Sequence, residues 1–150
     1  MTEILTTLVL VTSGVLAGGL VLVAAALIPT FRALSPGSSI QLHQTIDRYI
    51  NRYIAPDTAL TVVLAGVLIV LGDGTSTRLL LGTGALLCLA VTVISVTRNV
   101  PLNRTVRSWT TEAPASDVRT LQARWARSHL ARTVAGVLAL VAFASAAVGV

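Results

Sequence analysis

Residues 4–28 carry no charged side chain. As a helix rising about 1.5 Å per residue, this run is longer than the ~30 Å hydrocarbon core of a bilayer. In lipid every backbone N–H and C=O must be satisfied within the protein, so such a chain is confined to helices or a closed barrel. Three further apolar runs follow at about residues 57–71, 79–97 and 129–150. The run at 57–71 is short and needs residues on either side of Pro56 to cross. The chain is 54% hydrophobic and only 11% charged, where a soluble domain has about 25% charged residues. That contrast decides for an all-α integral membrane four-helix bundle, with residues 1–150 as one transmembrane domain. The first run does not read as a signal peptide. No basic residue precedes it, Glu3 stands there instead, and it exceeds a usual signal core.

Between the first two runs, Ile40, His43, Ile46, Ile50 and Tyr53 recur at helical spacing, with Asp47, Arg48 and Arg52 among them. This predicts an additional amphipathic helix over about residues 38–54, at the interface or capping the bundle. Pro56 is expected to end it. Gly72-Asp73-Gly74 signals a tight turn. Residues 104–124 are polar and hold Pro114, which points to a loop.

All eleven basic residues are arginine, and the formal net charge is +5. Arg32, Arg48 and Arg52 follow the first span, and Arg98, Arg104, Arg107, Arg119, Arg124 and Arg127 follow the third. Arg78 is alone in the short turn between the second and third. The positive-inside rule then puts both long loops in the cytoplasm and both termini outside, with the cell membrane as the expected location. Clustered between spans, the arginines suit membrane-lipid headgroups rather than nucleic acid, for which stacking aromatics and a basic stripe are lacking. Cys88 lies in an apolar run and reads as a packing residue. Gly14 and Gly18 form a GxxxG pair beside Gly19; with Gly82, Gly84 and Gly136 they are expected at helix contacts. The Gly14/Gly18 face is also where a homo-oligomer could form.

Polar groups at the mouth of a membrane bundle are expensive and suggest a site. Two sets stand out. Trp125, His129 and Arg132 lie at i, i+4 and i+7, on one helix face. Asn99 and Asn103 flank Pro101, where they could either contact a ligand or satisfy the backbone groups that proline frees. A third candidate is His43, with Asp47 at i+4 and Asn51 one step further. A carboxylate there could fix the histidine tautomer. No metal motif, phosphate loop or nucleophile elbow is present. Haem held between His43 and His129 is an alternative that two histidines in a bundle leave open. So is a non-enzymatic subunit that carries a lipophilic molecule.

The order "LHQTIDRYINRYIAP", "RNVPLN", "WARSHLART", after a glycine-rich first span ending in proline, resembles the anthrone oxygenase-like family of small four-helix membrane proteins. The resemblance covers nearly the whole chain. Its most specific parts are residues 99–103 and Trp125-x3-His129-x2-Arg132-Thr133. The chain departs from the family pattern at Asp47, where asparagine is common. The resemblance implies oxidation of a flat, lipophilic anthrone-like polyketide intermediate to a quinone. O2 is the co-substrate, without flavin, haem or metal. Such chemistry needs a base for the methylene proton and donors for the enolate oxygen. His129 is the expected base and His43 the second choice. Arg132, Asn99 and Asn103 would stabilise the oxyanion. Trp125, His43 and Asn51 would contact the substrate.

Overall fold

The computed structural model describes residues 1–149, and all of their side chains except those of Asn51 and Arg52. Four helices make up nearly all of it: α1 (Thr2–Ala33), α2 (Pro36–Leu71), α3 (Thr75–Ser108) and α4 (Ala115–Val148). Each is long and apolar enough to cross a membrane. At 1.5 Å per residue they are about 48–54 Å long, so they outreach the hydrocarbon core by roughly 20 Å. The apolar runs in the sequence mark only the lipid-crossing parts. This is why α3 and α4 occupy most of the polar stretch expected as a loop, leaving residues 109–114 as the connection.

Local chemistry sets the helix ends. Ser35 caps α2 by accepting from the Ser38 N–H at 3.3 Å, with Pro36 at the first helical position. Gly74 takes φ +89°, open to glycine at little cost, and turns the chain from α2 into α3. Arg119 donates to the carbonyls of Phe31 (3.0 Å) and Leu34 (2.9 Å), closing the C-terminus of α1. Gln44 does the same for α3 through the carbonyls of Val106 and Trp109.

Pro56 does not end the amphipathic segment, contrary to expectation. The segment is the first part of α2, which continues through Pro56 to Leu71. Ending a helix in lipid would strand several backbone groups, a greater penalty than one missing N–H. Hydroxyl bonds from Thr58 to the Ile54 carbonyl (2.7 Å) and from Thr61 to that of Asp57 (2.9 Å) reinforce the ladder just beyond. Pro29 and Pro101 are absorbed differently. Each follows a π turn, Val23–Leu27 in α1 and Ser95–Asn99 in α3. In each turn the carbonyl four residues before the proline is moved off the α ladder, so the helix can continue.

The helices form a ring in which α1 packs on α2 and α4, and α3 packs on the same two. Val9, Leu16, Leu20, Ala65, Leu68, Val91, Ala139 and Phe143 fill the half nearest the α2–α3 turn. Phe31, Ile28 and Trp125 begin a second cluster toward the opposite end. The glycines divide unevenly. A Cβ on Gly84 would lie 2.5 Å from the Phe143 ring, and one on Gly136 would lie 2.8 Å from Leu20 Cδ1. These two mark helix contacts, as expected. Gly14, Gly18, Gly19 and Gly82 have nothing within 4 Å of such an atom, so the GxxxG pair is not a close contact within this bundle. Gly84→Ala should therefore lower stability by about 1–3 kcal/mol by overpacking, while Gly18→Ala should leave it unchanged. Unfolding in micelles checks both.

Candidate active site

The C-terminal parts of α1 and α3 and the N-terminal parts of α2 and α4 meet at one end of the bundle. Nearly all the buried polar side chains expected to form a site converge there. Asn103, on α3, is the hub. Its Nδ2 donates to Asp47 Oδ1 at 2.5 Å, and its Oδ1 lies 2.9 Å from Trp125 Nε1 and 3.1 Å from His43 Nε2. A carboxylate only accepts and an indole N–H only donates, so both neighbours fix the same amide orientation. His43 must then donate through Nε2–H. In the neutral imidazole the lone pair is left on Nδ1. Asp47 thus sets the His43 tautomer, but through Asn103 rather than by direct contact. Arg107, four residues after Asn103, pairs with Asp47 Oδ2 and holds the carboxylate from the outside.

Trp125 is the second organising group. It stacks on His129 (centroids 5.1 Å, 15° between planes) and meets His43 edge-on at 5.0 Å. Phe31 stacks on the other ring, His43, at 5.2 Å. These contacts and the bond to Asn103 leave Trp125 a single orientation.

His129 is fully buried, with both nitrogens engaged. Nε2 lies 3.0 Å from the Leu20 carbonyl, which can only accept, so this nitrogen carries the proton. Nδ1 then accepts from the Arg132 guanidinium, 2.8 Å from Nη2. Arg132 also donates to Ser95 Oγ at 3.0 Å. It is itself buried, yet no ion pair of Arg132 is formed among the described residues. A lone guanidinium in such a place favours a nearby anion.

Asn99 differs from Asn103. It is 1% exposed, and neither its Oδ1 nor its Nδ2 has a hydrogen-bond partner. It ends the π turn of α3, between Ser95 and Asn103 along the helix. Neither asparagine repairs the backbone around Pro101: Asn103 is bonded to side chains, and the amide of Asn99 is unused. The Asn51 side chain lies outside the described residues.

His43, Asp47, Asn103, Trp125 and Arg132 line one small cleft with Leu27, Ile46 and Ile50. Its volume is about 30 Å³, room for a water or two rather than for a three-ring molecule. Five of the expected residues thus line one cleft, with His129 stacked on Trp125; Asn99 is not among the lining residues. Ser95, Phe31, Arg107 and the Leu20 carbonyl were not anticipated. Ser95 stands four residues before Asn99, and helical spacing alone would have found it; the Leu20 carbonyl leaves no trace in a sequence. The donor set does not suit a bis-histidine haem. Such a group needs one ligating nitrogen from each ring turned toward a shared iron, whereas both His129 nitrogens are bonded to protein and Trp125 touches both imidazoles.

No curated protein and no solved structure matches this chain. Residues 43–142 match the family model described as anthrone oxygenase. The match begins at His43 and takes in Asp47, Asn99, Asn103, Trp125, His129 and Arg132, and with two thirds of its length covered the chain belongs to the anthrone oxygenase family.

Proposed function

We propose that the protein is a membrane-embedded oxygenase that converts an anthrone-like aromatic to its quinone with O2, using His43 as the base. The supporting observation is one cleft that holds a histidine with a defined basic nitrogen and a guanidinium without a carboxylate partner. His43 Nδ1 takes a proton from the methylene carbon, and the electron pair delocalises onto the ring carbonyl oxygen as an enolate. Arg132 and the Asn99 amide stabilise that charge. The anion adds O2 at the former methylene carbon, giving a hydroperoxide after protonation. Loss of water forms the second carbonyl, so one anthrone and one O2 yield one anthraquinone and one water.

His129 is assigned to positioning rather than proton transfer. A proton on its Nδ1 would face the Arg132 N–H groups, so its lone pair serves to orient the guanidinium. The closed cleft is too small for a tricyclic substrate, so binding requires α1 and α2 to part at Leu27, Ile46 and Ile50. Those half-buried side chains border the lipid from which an apolar substrate would enter. Oxygen uptake by purified protein with an anthrone as the only oxidisable substrate tests this reading. One O2 consumed per quinone formed, well above the spontaneous rate, is expected; uptake at the spontaneous rate would contradict it.

We also place this end of the bundle in the cytoplasm and both termini outside, since Arg78 is the sole arginine near the opposite end. A reporter active only in the cytoplasm should be silent when fused to the C-terminus, and activity there would reverse the orientation.

A further inference from the structure

The arginines of α3 and α4 divide by partner. Arg107 pairs with Asp47, Arg119 closes the end of α1, and Arg132 is buried against His129 and Ser95. Arg98, Arg124 and Arg127 do none of this. They line a groove of about 710 Å³ on the outer face between α3 and α4, with Thr97, Ser128, Pro101 and Ala131. All three are exposed. Among the described residues none of them is paired with a carboxylate, and Arg127 makes only a 3.3 Å bond to the Ala123 carbonyl.

The groove is graded along the bundle axis. Its arginines lie toward the polar end, while Ile94 and Ala131 close it on the apolar side. Beyond them Val93 and Val134 are exposed. Three guanidiniums above an apolar wall match a phosphate carrying an acyl chain. A soluble phosphate would use only the upper half. Guanidinium forks bind phosphate oxygens in pairs, and arginines at headgroup depth attract anionic lipid. We propose that the α3/α4 groove is a binding site for one anionic phospholipid, with its phosphate among Arg98, Arg124 and Arg127 and an acyl chain along Val93 and Val134. The site is separate from the cleft at Trp125 and does not depend on the reaction there.

Titration of the purified full chain in micelles with phosphatidylglycerol and phosphatidylcholine, read by native mass spectrometry, tests this. Wild type should prefer phosphatidylglycerol. R98Q, R124Q and R127Q should each lower its affinity about fivefold and leave phosphatidylcholine unchanged. R104Q, an exposed arginine outside the groove, is the control and should have no effect. Circular dichroism confirms that each variant keeps its helices; these exposed substitutions should fold. Equal binding of the two lipids would overturn the site. So would a loss in R104Q as large as that in R124Q, which would reduce the preference to general surface charge. Glycerol phosphate displacing the lipid at similar concentration would assign the groove to a soluble anion instead.

Discussion

His43→Ala is expected to lower kcat/KM for anthrone oxidation by about 10²- to 10⁴-fold, the usual contribution of a positioned base. The loss should fall mainly on kcat, because the substrate still meets Trp125 and the apolar lips of the cleft. The contrasting variant is His129→Asn. Asparagine also offers one donor and one acceptor, so it can serve the Leu20 carbonyl and Arg132, and it should keep most of the activity. If His129 were the base, the order would reverse: His129→Asn would be inactive and His43→Ala would retain turnover. Oxygen-electrode kinetics on the two purified variants separates these outcomes, with helix content and monodispersity as controls.

The second large effect concerns the two asparagines, whose roles diverge despite a shared helix face. Asn99→Leu should reduce kcat by about 10²- to 10³-fold, as expected for loss of an oxyanion donor. It should leave stability unchanged or raise it, because the amide it removes is buried without partners. Asn103→Leu should instead destabilise the protein by about 1–3 kcal/mol. It strands the Trp125 N–H and His43 Nε2 and removes the amide bond to Asp47 Oδ1, and buried polar groups left without partners are costly. Thermal unfolding alongside turnover decides. A marked stability loss in Asn99→Leu with activity kept would make Asn99 a structural residue.

How much of this was legible in the chain depends on range. The spans were legible because lipid forces every backbone group into a helix, and long uncharged runs report that directly. Helix lengths were not, since hydropathy sees the part in lipid and not the continuation above it. Pro56 misled because its helix-breaking rule is calibrated for water, where a broken end is solvated. The Trp125–His129–Arg132 face was legible as i, i+4, i+7. The role of each member was not, because it is set by groups on other helices. The Leu20 carbonyl fixes the His129 proton from over a hundred residues away in sequence, and Ser95 anchors Arg132 from another span. Likewise His43 and Asp47 have the spacing of a direct pair, yet Asn103 from α3 stands between them. Local spacing picked out residues that cluster at one end of the bundle; inter-helix bonds set the partners of each.

The proposed proton removal by His43 can be isolated from the oxygen step. An anthrone is mixed with purified protein in D2O under strict exclusion of O2, and loss of the methylene proton signal is followed by NMR. Wild type should exchange that proton far faster than buffer and detergent alone, and His43→Ala should fall back to the background rate. Exchange at background rate in the wild type, in a preparation that still consumes O2 when air is admitted, would contradict base-assisted carbanion formation as the basis of the activity.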